Sequence, residues 1–122
     1  MSSRTPYRVL VVEDEILIAL DLQHTLEDAG YEVIGPHENV ADSLATIATA
    51  HPDAAILDVQ LDGEDVFPVA EQLKAEGVPI VFHSGHAEPA QLQERFPEAR
   101  FCSKPCTPAL LESELRIAIE GA

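Results

Sequence analysis

Short apolar runs alternate along this chain with longer segments whose apolar residues recur at helical spacing. The short runs are typical of strands buried on both faces, and the longer segments are typical of amphipathic helices. The pattern predicts strands at 7–12, 32–35, 53–58, 78–83 and 100–103. It predicts helices at 16–29, about 40–50, a third ending within 74–77, roughly 89–95, and 108–119.

Residues that favour helix ends support these boundaries. Either Asn39 or Asp42 is suited to cap the start of the second helix, and Thr107 is suited to cap the fifth. Asp62 and Glu64 are predicted to cap the third helix, because they stand in the polar loop that precedes it.

The order of these elements predicts the fold. Five strands alternate with five helices, and right-handed crossovers between them require a parallel sheet covered on both faces. We therefore expect a flavodoxin-like α/β fold, a doubly wound (βα)5 parallel sheet with strand order 2-1-3-4-5. A single domain is expected over 1–122, with no output domain in this chain.

Composition is consistent with one globular domain. The chain has 122 residues, of which 46% are hydrophobic, and no apolar run is long enough to span a bilayer. The N-terminal residues lead into a strand without a secretory signal. Two cysteines, Cys102 and Cys106, are too few for a disulfide framework. We expect a cytoplasmic protein with reduced thiols and no membrane partner.

The formal net charge of −15, with only 7 lysines and arginines, narrows the choice of partners. A chain without a basic patch cannot displace the counterions of nucleic acid, so nucleic acid is not expected as a partner. Most of the excess acid is expected to serve solubility, and a smaller part to gather at a cation site.

Polar side chains follow the predicted strands at the points where those strands end. Glu13 and Asp14 follow the first, Asp58 ends the third, Ser84 follows the fourth and Lys104 follows the fifth. In a parallel sheet these ends meet at one edge, where ligands bind. Clustered carboxylates favour a hard cation such as Mg²⁺, and an ammonium and a hydroxyl suit phosphoryl oxygens. This set predicts phosphoryl transfer with Asp58 as nucleophile.

With these residues in this order, the chain resembles a response-regulator receiver domain of two-component signalling. The resemblance implies that Asp58 accepts phosphate from a histidine kinase or a histidine phosphotransfer protein. It implies that Asp14 and Asp58 bind Mg²⁺ directly, that Glu13 binds it through water, and that the Gln60 carbonyl completes the protein ligands. The phosphoacceptor is then a signalling module and not an enzyme.

The same resemblance assigns a switch. Ser84 and Lys104 would bind the phosphoryl oxygens, and Phe101, three residues before Lys104, matches the switch aromatic of the family. Phosphorylation would then alter a protein-binding surface made by the fourth helix, the fifth strand and the fifth helix. Many members of the family carry Met-Pro shortly after the phosphoacceptor, whereas residues 59–63 of this chain have the sequence Val-Gln-Leu-Asp-Gly.

Each of these residues also has a structural interpretation. Asp58 alone would be a solvated acid at a strand end, Glu13 and Asp14 would be first-turn acids of a helix, and Phe101 would be a core aromatic. Lys104 would then be a turn residue, and Ser84 would be an N-cap of the fourth helix. Zinc ligation by two histidines and two cysteines is disfavoured, because side chains alternate in direction along strands; the four candidates are His83, His86, Cys102 and Cys106.

Two other functions compete with the phosphoacceptor. An Asp-nucleophile phosphohydrolase shares a similar sheet, but the second acid that such enzymes place two residues after the first is absent, since position 60 is Gln60. An interaction domain that is not phosphorylated is the other alternative, and the complete acidic set argues against it. A monomer or weak homodimer is expected, and the downstream partner stays open.

Overall fold

A computed structural model of the chain describes residues 6–61, 63–84, 89–103 and 105–121, which contain seven strands and five helices. The strands are β1 (Arg8–Val12), β2 (Glu32–His37), β3 (Ala54–Asp58), β4 (Gln60–Leu61), β5 (Glu64–Asp65), β6 (Ile80–Ser84) and β7 (Arg100–Ser103). The helices are α1 (Ile16–Asp28), α2 (Val40–Ala50), α3 (Phe67–Ala75), α4 (Pro89–Arg95) and α5 (Pro108–Glu120). Within the described ranges, every helix is too short or too polar to cross a bilayer.

Five of the described strands form one sheet in the order β2-β1-β3-β6-β7, and each neighbouring pair is parallel. Since β6 and β7 are the predicted fourth and fifth strands, the predicted order 2-1-3-4-5 is confirmed. The α/β flavodoxin-like fold is confirmed with it. The remaining pair, β4 and β5, forms a two-residue antiparallel hairpin in a segment that was predicted to be a loop.

Both faces of the sheet are buried, as its near-continuous apolar strands require. On one face, the core includes Ile47 of α2, Leu73 of α3 and Leu92 of α4. On the other face, it includes Leu22 of α1 and Leu115 of α5. Because the helices cover both faces, polar side chains of the sheet can gather where the strands begin and where they end.

Two predicted helix caps are confirmed. The Asn39 side chain accepts a hydrogen bond from the Asp42 N–H at 2.8 Å, so Asn39 caps α2. The Thr107 hydroxyl accepts from the Leu110 N–H at 3.2 Å and caps α5. Each satisfies a backbone donor that the first helical turn leaves without a partner.

The prediction that Glu64 caps the third helix is wrong. Glu64 was assigned to α3, but its Oε1 accepts from the Val40 N–H at 3.0 Å, at the start of α2. Asp65 accepts a hydrogen bond at the start of α3 instead, since its Oδ1 lies 2.8 Å from the donating Phe67 N–H. The β4–β5 hairpin turns Glu64 towards α2, which the sequence spacing alone does not show. Asp62 lies outside the described residues.

Candidate metal and phosphoryl site

Three acids meet at the carboxyl edge of the sheet, where β1 and β3 end side by side. Glu13 and Asp14 follow β1, and Asp58 is the last residue of β3. One carboxylate oxygen from each lies within 4.8 Å of the others. The parallel pairing of Val12 with Leu57 produces this arrangement, because both strands then end at the same level.

Backbone groups orient two of these acids. The Gln60 N–H donates to Asp58 Oδ1 at 3.0 Å, and the Glu15 N–H donates to Glu13 Oε2 at 3.2 Å. Asp58 is 1% exposed and Glu13 is 4% exposed, whereas Asp14 is intermediate. The two deeper carboxylates are thus fixed in a region where water screens charge poorly, so their interactions with a bound cation are strong.

The donor set of this cluster fits Mg²⁺. All three side chains offer hard carboxylate oxygens, which Mg²⁺ prefers, and the half-buried Asp14 leaves the site open to water and substrate oxygens. Three like charges this close repel each other, and a divalent cation between them offsets both that repulsion and the cost of burial. The residues that would hold it are Glu13, Asp14 and Asp58.

The other predicted site residues are placed in part. Gln60 begins the β4–β5 hairpin two residues after Asp58. Ser84 is the last residue of β6, next to β3 in the sheet, and its side chain lies outside what the structure describes. Lys104 lies outside the described residues. Phe101 is half-buried in β7 and stacks on Phe82, with ring centroids 5.5 Å apart.

One residue at this edge was not assigned to the site from the sequence. His83 is 3% exposed and is paired in register with Asp58. Its Nδ1 lies 3.6 Å from Glu13 Oε1, and the Val59 N–H donates to its carbonyl oxygen at 3.1 Å. The available signal was its position directly before Ser84, at the end of a strand predicted to lie beside the third strand.

The prediction of reduced thiols is wrong. Cys102 and Cys106 form a disulfide, with Cα atoms 6.0 Å apart, across the connection from β7 to α5. Contrary to the prediction, alternation of side chains along the strands does not separate His83 from Cys102, because the two are register partners and point to the same face of the sheet. With both sulfurs joined to each other, these residues do not form a zinc site. His86 lies outside the described residues.

The fold and the acidic cluster agree with a family match. The sequence profile of the response regulator receiver domain matches residues 9–116 of this chain. The chain belongs to the response regulator receiver family. Receiver domains bind Mg²⁺ at an acidic pocket, are phosphorylated by histidine kinases in two-component systems, and act as signalling modules.

Relatives of this receiver domain include longer regulators. PhyR from Methylorubrum extorquens, a phyllosphere-induced regulator, is 31% identical over 114 residues, which cover 91% of this chain and 43% of PhyR. PdtaR from Mycobacterium tuberculosis, a transcriptional regulatory protein, is 34% identical over 77 residues, or 62% of this chain and 38% of PdtaR. The chain thus spans well under half the length of these curated relatives.

Solved structures resemble the receiver domain along almost its whole length. SdrG from Sphingomonas melonis Fr1 is 36% identical with a TM-score of 0.77, covering 93% of this chain and 97% of SdrG. A response regulator receiver protein from Sinorhizobium medicae WSM419 is 28% identical with a TM-score of 0.82, covering 94% of this chain and 95% of that protein. These similarities agree with the (βα)5 architecture.

Proposed function

We propose that this receiver domain is a phosphoacceptor and that Asp58 takes the phosphoryl group. An Asp58 carboxylate oxygen attacks the phosphorus of a phosphohistidine on a histidine kinase or histidine phosphotransfer protein. The N–P bond breaks, its electron pair returns to the imidazole, and an aspartyl phosphate forms. The observation that carries the proposal is the burial of Asp58 at the carboxyl edge, with Glu13 and Asp14 within 4.8 Å.

The residues around Asp58 prepare it for this step. The hydrogen bond from the Gln60 N–H fixes the rotation of the Asp58 carboxylate, so less orientational freedom is lost when the donor arrives. When bound, Mg²⁺ neutralises charge on the acids and on the phosphoryl oxygens. We assign its direct ligands as Asp14, Asp58 and the Gln60 carbonyl, with Glu13 acting through water.

We assign the remaining phosphoryl contacts to Ser84 and Lys104. The Ser84 hydroxyl donates to a phosphoryl oxygen, and the Lys104 ammonium offsets its charge. Inward movement of Ser84 vacates space for Phe101, whose ring already stacks on Phe82. The new packing alters the surface made by α4, β7 and α5, to which a protein partner binds.

Acetyl phosphate, a small phosphodonor, tests the site without a kinase. Incubation of the wild-type chain with acetyl phosphate and Mg²⁺ is expected to add one phosphoryl group, read by intact mass spectrometry. Asp58→Asn is expected to remain unmodified, because an amide is not a nucleophile for this transfer. EDTA is expected to suppress the modification of the wild-type chain.

Asp53→Asn provides the matched control. Asp53 is exposed and directly precedes β3, at the opposite end of the strand from Asp58, so this variant is expected to be phosphorylated like the wild type. Absence of modification in the wild type, under conditions that phosphorylate another receiver domain, would contradict the proposal. Equal modification of Asp58→Asn would contradict the assignment to Asp58.

A further inference from the structure

His83 is a buried polar residue inside the apolar frame of the sheet. It is 3% exposed, and neither of its ring nitrogens has a hydrogen-bond partner among the described residues. Polar side chains buried to this degree are nearly always hydrogen-bonded, because an unmade hydrogen bond in the interior costs free energy. The position of His83 therefore points to a hydrogen-bond partner among the groups that face its ring.

The nearest acid identifies that partner. His83 Nδ1 lies 3.6 Å from Glu13 Oε1, slightly beyond hydrogen-bond distance, and the Glu13 side chain is only 2% exposed. The other oxygen, Glu13 Oε2, accepts from the Glu15 N–H at 3.2 Å. Shortening this distance by about half an ångström would make a hydrogen bond, which would give the Glu13 carboxylate a side-chain donor in addition to the Glu15 N–H.

We propose that His83 is a positioning residue for the metal site and donates its Nδ1–H to Glu13 Oε1 when the cation is bound. The proposal rests on the function proposed above, because Glu13 is assigned there as the acid that binds Mg²⁺ through water. Hydrogen-bond partners behind a metal-binding group orient it and raise metal affinity.

Two observations favour a positioning role for His83 over direct ligation of the metal. The compact group of potential ligand atoms in the described part of the chain contains Glu13, Asp14 and Asp58 but no nitrogen of His83, so the imidazole approaches the cluster through Glu13 and does not join it as a ligand. The ring also lines a cavity of about 540 Å³ with Ile18 and Cys106. Space beside the ring allows other side chains of similar size at position 83 without overpacking the core.

The test compares two variants of nearly identical shape. Asn has an amide N–H₂ close to the position of Nδ1, whereas Leu has a methyl group there and cannot donate. The dissociation constant of Mg²⁺ is measured by isothermal titration calorimetry without phosphodonor. His83→Leu is expected to raise that constant about tenfold, and His83→Asn is expected to keep it within about threefold of the wild type.

A third variant keeps the test decisive if His83→Leu does not fold. His83→Gln places its amide near the position of Nε2 and not Nδ1, so it is expected to weaken Mg²⁺ binding as Leu does. Thermal melting without Mg²⁺ identifies the folded variants. Wild-type affinity in His83→Leu or His83→Gln would overturn the proposal, and so would equal losses in Asn, Gln and Leu.

Glu13→Ala tests whether His83 acts through Glu13. If it does, adding His83→Leu to Glu13→Ala should change the dissociation constant less than about twofold, because the Ala side chain has no oxygen to accept from Nδ1–H. A full tenfold loss in the double variant would overturn the proposal. Failure of the phosphoacceptor function is distinguishable, because it leaves Mg²⁺ binding intact and abolishes only the acetyl phosphate modification.

Discussion

Among the residues that the structure describes, acids pair with arginines at the amino ends of the strands, whereas three acids gather within a few ångströms of one another at the carboxyl ends. The N–H of Arg8, where β1 begins, donates to Asp53 Oδ2 at 2.8 Å, and its guanidinium Nε lies 3.6 Å from Glu32 Oε2. Arg100, where β7 begins, pairs with Glu114 of α5. At the amino edge, opposite charges thus connect neighbouring elements.

At the carboxyl edge, the described residues bring like charges together. Glu13, Asp14 and Asp58 place their oxygens within 4.8 Å of one another, and the His83 imidazole lies beside Glu13 without a hydrogen bond among the described residues. Like charges at this distance repel each other, and a bound cation reduces that repulsion. The described ion pairs at the amino edge therefore stabilise the fold directly, whereas the acids at the carboxyl edge are suited to bind a cation.

Of the changes considered, addition of Mg²⁺ should have the largest effect on the free energy of unfolding. At a Mg²⁺ concentration about one hundred times its dissociation constant, binding to the folded state alone raises the free energy of unfolding by ~2.7 kcal/mol. Asp14→Asn, if it weakens binding tenfold, should reduce that gain to ~1.4 kcal/mol at the same concentration. Urea unfolding with and without Mg²⁺, at ionic strength matched with NaCl, measures both.

General screening is the competing explanation for such a gain, because the chain carries a formal net charge of −15. Screening would stabilise wild type and Asp14→Asn equally and would be reproduced by NaCl. Equal gains in the two proteins would therefore show that the acids at the carboxyl edge do not form a specific site.

The disulfide at the carboxyl edge should have the next largest effect. It closes a loop of five residues, from Cys102 to Cys106, which restricts the unfolded chain. The loop-entropy relation gives a loss of about 2 kcal/mol in the free energy of unfolding when both residues are changed to Ser. Urea unfolding measures the loss, and the wild type treated with a dithiol reductant should match the double variant.

A thiol titration provides the control for this prediction. The untreated wild type, denatured without reductant, should show no reactive thiol, and the reduced protein should show the thiols of Cys102 and Cys106. Two reactive thiols in the untreated protein, together with unchanged stability of the double serine variant, would contradict the disulfide.

Much of the architecture was available from the sequence because long segments carry periodic information. The bounds of α2 and β7 agree with prediction, and of the two residues predicted to cap α2, Asn39 is the one that does so. The hairpin was missed because β4 and β5 have two residues each, too few to show alternation. Its consequence, that Glu64 accepts from the Val40 N–H at the start of α2, was missed with it.

The acidic cluster could be anticipated because strand order alone brings strand ends to one edge. The part played by His83 could not, since it depends on the register that pairs His83 with Asp58 and on a 3.6 Å approach to Glu13. The disulfide was missed for a similar reason. Two cysteines four residues apart bond only if the turn between them brings their side chains together, and the sequence does not fix that turn.

At the amino edge, loss of one acid should have the smallest effect. Asp53→Ala removes the carboxylate that accepts from the Arg8 N–H, and we expect the free energy of unfolding to fall by about 1 kcal/mol. Asp53→Asn, which keeps an acceptor oxygen but loses the charge, should cost about half as much. Urea unfolding measures both variants.

These amino-edge variants also test whether the two edges are independent. Asp53 and Asp58 stand at opposite ends of the same strand, so loss of Asp53 should leave the gain from Mg²⁺ unchanged. Changes at well-separated sites without shared partners usually add, within a few tenths of a kcal/mol. A different result would be a Mg²⁺-dependent rise in the free energy of unfolding that is smaller in Asp53→Ala by more than about 0.5 kcal/mol. The two ends of β3 would then be energetically coupled, and the two edges of the sheet would not be independent.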